Sequence, residues 1–201
     1  MNPEAKVPAF PAVASGPANP ADRIIDVAYE LFSTRGVRDV GVNELIERSG
    51  VAKATFYRHF PSKDSLVLAF LEQRDKRWTM DLILAEAHRR GSTPREQLLA
   101  IFDVFGDWFL REDFEGCSFA KVLLEMGPAH PLGQASISYL AKIRGLIQTA
   151  GEEAGLVRPE EFAYSLQVLM KGSIVQAVEG DLQAARRAQQ MAAWLIEHHS
   201  S

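Results

Sequence analysis

The chain has 201 residues, 22 Lys+Arg against 26 Asp+Glu, a net charge of −4 and a hydrophobic fraction of 47%. These are the proportions of a globular protein long enough to bury a sizeable core, and they argue against a disordered chain, a fibrous repeat or a disulfide scaffold. One cysteine, Cys117, cannot form an internal disulfide, in keeping with a reducing cytoplasm, and a net acidic chain does not coat nucleic acid indiscriminately.

The charge is uneven along the chain. Residues 1–77 carry 11 basic and 10 acidic side chains, whereas residues 78–201 carry 11 and 16, so the acidity belongs to the second part. Proline is uneven too: Pro3, Pro8, Pro11, Pro17 and Pro20 fall in the first 21 residues. Proline removes backbone donors and disfavours helix, so residues 1–20 read as a disordered Pro/Ala-rich arm. Glu4, Lys6 and a short, interrupted apolar run make this stretch a poor secretory leader. No run of 18 apolar residues occurs, so no membrane span is expected and the expected location is cytoplasmic.

From residue 21 onward the pattern is helical. Ile24, Ala28 and Leu31, with Ile25 and Phe32, recur at helical spacing over about 22–35; Asp22 opens this helix and Gly36 closes it. A short helix over 43–49 is capped by Gly41 or Asn43, turns Leu45 and Ile46 inward and ends at Gly50. The next covers 53–59, with Phe56 and Phe60 apolar and Pro61 as its stop. Ser62 caps a fourth, which runs towards residue 89 with Leu66, Val67, Phe70 and Leu71 inside. Five more helices follow: one opened by Pro94, then 117–126, 132–153, 159–179 and 181–198. No alternating strand pattern or fixed-period repeat competes with them. The fold class is all-α: a head at 21–67 and a larger helical domain at 68–201.

Residues 41–63 carry the chemistry. Two short helices are joined by Gly50-Val51-Ala52, with glycine permitting the left-handed turn and Val51 plugging the angle between them. That is a helix-turn-helix layout, whose second helix enters the DNA major groove. Lys53, Thr55, Tyr57, Arg58 and His59 crowd onto that helix, interrupted only by Ala54 and Phe56. Lysine and arginine read guanine or hold phosphate, threonine meets a thymine methyl, and tyrosine and histidine suit phosphate oxygens. Lys63 adds a cation to the first turn of the next helix, a natural phosphate site.

The block Thr55-Phe56-Tyr57-Arg58-His59-Phe60-Pro61-Ser62-Lys63-Asp64-Ser65-Leu66 resembles the tetracycline-repressor (TetR) family of bacterial regulators. Ala28-x-x-Leu31-Phe32-x-x-x-Gly36 and Leu45-Ile46-x-x-x-Gly50-Val51 match that pattern in order and spacing, so residues 22–70 carry the resemblance. It implies a homodimer with a three-helix DNA-binding domain and a larger ligand-binding domain. It further implies repression at a palindromic operator, relieved when a small molecule shifts the two heads apart. Carried across, Lys53, Thr55 and Arg58 become base readers; Tyr57, His59 and Lys63 become phosphate contacts; Asn43 meets the backbone or a base. Ala54 stands where the family often has glycine, and Gly41-Val42 where a capping Ser or Thr is common.

In the second part, Phe102, Phe105, Trp108, Phe109 and Phe119, with Met126, His130, Tyr139 and Ile143, are candidates to line an effector pocket, core packing being the competing reading. Phe162, Leu166, Leu169, Met170 and Ile174, with Met191, Trp194 and Leu195, are candidates for a dimer surface; packing within the chain competes. Cys117 reads as an inert thiol in preference to a redox sensor, and His198-His199 as a frayed tail in preference to a metal site. No catalytic motif, cofactor loop or metal-ligand spacing is present, so no enzyme, cofactor or metal is expected. The expected partners are operator DNA, a small-molecule effector and a second copy. The alternatives are a helical binding protein with a vestigial helix-turn-helix, and an activator on the same fold.

Overall fold

The computed structural model describes residues 19–200. The arm expected at 1–20 lies outside these residues up to position 18, and its last two positions, 19 and 20, belong to the start of the first helix. Asn19 caps the first helix through an Asp22 N–H to Oδ1 bond of 3.0 Å, and Pro20 begins it. Asn19 is the cap, and Asp22 supplies the amide and stands as the acid of the first turn.

Ten α-helices are present among the described residues: α1 Pro20–Arg35, α2 Val42–Ser49, α3 Lys53–His59, α4 Lys63–Arg74, α5 Ala85–Arg90, α6 Pro94–Phe109, α7 Ser118–Met126, α8 Pro131–Glu153, α9 Pro159–Val178 and α10 Ala184–His198. A π-helical stretch, Asp75–Leu84, joins α4 to α5 without a loop, so the long fourth helix expected from sequence is one run of three segments.

Two compact units emerge. The head takes in residues 19–76 and also 118–139; the second unit takes in 77–117 and 140–200. The expected boundary after residue 67 thus falls within α4, and α7 with the start of α8 groups with the head.

The head closes on Ile24, Ala28, Leu31 and Phe32 of α1, Leu45 of α2, Phe56 of α3 and Leu66, Val67, Phe70 and Leu71 of α4, each at most 2% exposed. Phe70 receives Tyr29 and Phe32 edge-on, at ring-centre distances of 5.4 and 5.6 Å, the arrangement favoured by aromatic quadrupoles. Ser62 and Ser65 cap α4 reciprocally, as expected of Ser62.

The second unit is organised by an aromatic cluster. Trp78 meets Trp108 at 4.2 Å, and Phe105, Phe109 and Phe114 surround Trp108 at 4.8–5.7 Å. Thr93 and Glu96 form a capping box at the start of α6. Arg90 bridges to Asp107 at 2.7 Å, tying α5 to α6. Gln189 of α10 donates to Leu99 O and to Asp103 of α6. At the end of α10, His199 is 2% exposed and exchanges two 2.7 Å contacts with Val157, one through its backbone oxygen and one through Nδ1. Residue 199 is therefore a packed terminus, correcting the expectation of a frayed one.

Candidate nucleic-acid interface

Gly50 sits at φ +63°, ψ +31° and ends α2 by donating its N–H to Glu47 O. This left-handed turn suits glycine and swings the chain into α3. Gly41 is the N-cap of α2, and no side chain caps it, as the missing Ser or Thr implies. Phe56 and Phe60, four residues apart, anchor α3 in the core at 0% and 8% exposure. At about 100° per residue, Ala54 and Arg58 then face directly away from Phe56, with Lys53 and Tyr57 on one flank and Thr55 and His59 on the other. Lys53, Tyr57, Arg58 and His59 are exposed, Thr55 is half-buried, Asn43 is exposed at the start of α2, and Lys63 is half-buried at the start of α4.

Several of the head's basic side chains are partnered and others are not. Arg35 is bonded to Glu44 at 2.5 Å and to Asp39 O, Arg48 reaches Glu30 at 3.4 Å, and buried Arg74 donates to Tyr29 Oη at 2.7 Å. Lys53, Arg58, His59 and Lys63 make no ion pair among the described residues. Arg23, Arg38 and Lys76 are exposed and likewise without an ion pair among the described residues, but they are scattered. The other four gather on α3 and the first turn of α4, next to a helix N-terminus whose dipole also attracts anions. Seven residues of α3 include no acid. The arrangement suits phosphate oxygens on the flanks and base edges under Arg58.

Sequence reasoning missed how the head is clipped from behind. The Glu125 carboxylate of α7 accepts the Val37 N–H at 2.9 Å and also the Arg38 N–H. Gly36 makes room for it: its φ is +86°, and a Cβ there would stand 3.2 Å from Glu125 Oε2. Lys121 donates to Ser33 O at 2.9 Å, and His130 Nε2 stands 3.9 Å from Asp64 Oδ2, beside Lys63. These pairs are 66 to 88 residues apart in sequence, and no local pattern announces them.

The other candidate residues are dispersed. Phe102, Phe105, Trp108 and Phe109 are 1–4% exposed and pack in the second unit's aromatic core. Phe119 is buried in the head unit and stacks on Tyr139 at 5.1 Å. Met126, Tyr139 and Ile143 are half-buried, as is Cys117. Burial, reinforced by Glu72 and Asp75, raises the Tyr139 phenol above its ordinary range and keeps it a neutral donor. On α9, Phe162 and Leu166 are fully buried, and Met170 and Ile174 are 9% and 8% exposed, so these four candidate dimer residues pack within the chain. Leu169 and Leu195 are half-buried, whereas Met191 and Trp194 are exposed together with Val168, Val175 and Val178.

A helix-turn-helix head within an all-helical chain is the class this fold and site define. Residues 24–70 match the family described as bacterial regulatory proteins, tetR family. An HTH-type transcriptional regulator of Mycobacterium tuberculosis (MT1294) is 34% identical over 64 residues, 32% of each chain. The HTH-type transcriptional activator FasR of Mycolicibacterium smegmatis is 32% identical over 97 residues, 47% of this chain and 42% of that one. The matches therefore span under half the length of these curated relatives. SCO4454, a TetR-family transcriptional regulator from Streptomyces coelicolor, shares the fold with a TM-score of 0.82 and 22% identity, over 90% of this chain and 96% of that one. The head therefore carries the tetR-family match, and 90% of the chain shares the fold of a TetR-family regulator.

Proposed function

We propose that this protein is a homodimeric, ligand-responsive transcriptional repressor that binds a palindromic operator through α3. The observation that carries the reading is the gathering of Lys53, Arg58, His59 and Lys63, none with an ion pair among the described residues, on an acid-free α3 and the start of α4. Lys53, Thr55 and Arg58 read bases, Tyr57, His59 and Lys63 hold phosphates, and Asn43 meets the backbone or a base at the mouth of α2.

Self-association uses α9 and α10. An apolar groove of about 430 Å³ is lined by Ser165, Val168, Leu169, Met191, Trp194 and Leu195, and Val168 and Trp194 are each 68% exposed. Large apolar surfaces of this kind mark interfaces, and a second copy of the same two helices covers it isologously. Paired heads then present recognition helices about 34–36 Å apart.

The effector acts by binding the DNA-incompetent state more tightly than the competent one. Half-buried Met126 and Tyr139 lie on the segment 118–139, which carries Glu125 and Lys121, so an effector that displaces this segment reaches the head through the clip. Activation is the second reading, favoured by the name of the M. smegmatis relative. The test is fluorescence anisotropy with DNA flanking the gene, followed by in vitro transcription from that DNA. Nanomolar, salt-sensitive binding with reduced transcription supports repression; raised transcription selects activation; binding no tighter than to random DNA overturns the reading.

A further inference from the structure

On α8 and α9 of the second unit, two cations share one neutral oxygen. Gln167 is 5% exposed, and its Nε2 donates to Leu140 O at 2.7 Å. That bond fixes the amide, because only its nitrogen donates. The carbonyl end therefore faces Arg144 Nη1 at 3.5 Å and Lys171 Nζ at 3.4 Å. The two cationic nitrogens stand within about 7 Å of each other. The guanidinium of Arg144 also lies 4.3 Å from the centre of the Tyr164 ring, which holds it in place. Neither cation has an ion pair among the described residues. Elsewhere in the same unit Arg90 meets Glu86 and Asp107, Arg158 meets Glu161 and Arg187 meets Asp181, while Arg95 bonds only Ala154 O among the described residues.

Two like charges held this close, on a buried amide that donates nothing to them, form a socket of net charge +2. Charge-assisted bonds of about 2.7–2.9 Å from each nitrogen span that gap through one oxyanion. Most of the donors on both heads remain free, since a guanidinium has five and an ammonium three. Tyr164, Val168, Lys171 and Val175 recur at spacings of four, three and four, so the socket opens on the exposed stripe of α9.

We propose that Arg144 and Lys171, gathered by Gln167, form a receptor for one carboxylate, delivered by a small organic acid or by an Asp or Glu side chain of a second copy. This socket is independent of the DNA-binding reading. It shares only the α9 face with the proposed self-association.

The probe is sodium succinate against sodium chloride at matched ionic strength, with the full chain and two readouts, melting temperature and sedimentation equilibrium. For a free acid, succinate raises the melting temperature saturably, by about 3–6 °C at ten times its Kd. Chloride does not, and Arg144→Gln/Lys171→Gln abolishes the rise. For a carboxylate from the second copy, the double variant weakens self-association at least ten-fold, and succinate competes with self-association of the native chain. The charge-preserving exchange Arg144→Lys/Lys171→Arg keeps either response within a few-fold. Lys171→Gln alone changes a half-exposed position and keeps the test open if the double variant does not fold. Equal responses to succinate and chloride, or no response with unchanged or tighter self-association in the variants, overturn the proposal.

Discussion

The two units of this chain leave different chemistry in water. The head buries its phenylalanines and exposes Lys53, Tyr57, Arg58 and His59 on a seven-residue helix. The second unit buries the larger aromatic cluster and exposes Val168, Val175, Val178, Met191 and Trp194 on two long ones. Both are helical, and both are built on residues recurring every three or four positions. What distinguishes them is the side chain left on the outer face. Cations without carboxylates address a polyanion, and aliphatic side chains without a neighbour address another apolar surface.

That contrast can be broken at several depths. The largest expected effect is in the aromatic core: Trp108→Ala removes the ring that Trp78, Phe105, Phe109 and Phe114 all touch. It should cost about 3–5 kcal/mol in denaturant unfolding. Next comes the exposed apolar face. Trp194→Glu should shift the protein towards monomer by about 2 kcal/mol or more, as for an interface hot spot, read by sedimentation. A hydrodynamic state identical to the native chain's would remove α10 from the interface.

The clip behind the head ranks third. Glu125→Ala leaves the Val37 and Arg38 amides without their acceptor and should cost about 1–3 kcal/mol. Faster hydrogen exchange at those two amides, with the aromatic core unaffected, is the specific signature. Tyr57→Ala and Lys63→Ala should each weaken operator binding by about 1–2 kcal/mol. For Lys63→Ala the salt slope should also fall by about 1. Unchanged affinity in both would refute the site.

The smallest effect is electrostatic. Hydrogen bonds and charge from Arg89 and Arg90 hold the Glu86 carboxyl below its ordinary pKa. A depressed carboxylate stabilises the fold above its unfolded pKa, and the gain is lost as pH falls through the folded value. Glu86→Gln should therefore lower stability slightly at pH 7 and not at all in strong acid, which paired thermal melts at the two pH values will read.

Much of this was legible in the sequence because the signals are local. Pro61, Ser62, Pro94 and Pro159 punctuate helices wherever they stand, and α3 was placed at 53–59 as observed. The cation-rich face of α3 needed only the 100° rotation per residue. The exposed apolar face of α9 was not legible in the same way. Because α9 is apolar on two sides, Phe162, Leu166, Met170 and Ile174 face inward while Val168, Val175 and Val178 face outward. Periodicity finds an apolar stripe without saying which of two is covered. Contacts across 88 residues, such as Glu125 on Val37, leave no periodic trace at all, and neither did the burial of His199.

The head's discontinuity has a consequence for its birth. Synthesis runs at about 5–20 residues per second, and domains fold as they emerge. The head's first segment is complete at Lys76, and Glu125 follows 49 residues later, a lag of roughly 2–10 s. Throughout that interval the nascent chain carries a whole helix-turn-helix whose Val37 and Arg38 amides still await their carboxylate. The DNA-reading end is thus made first and finished late, after α6 has been synthesised.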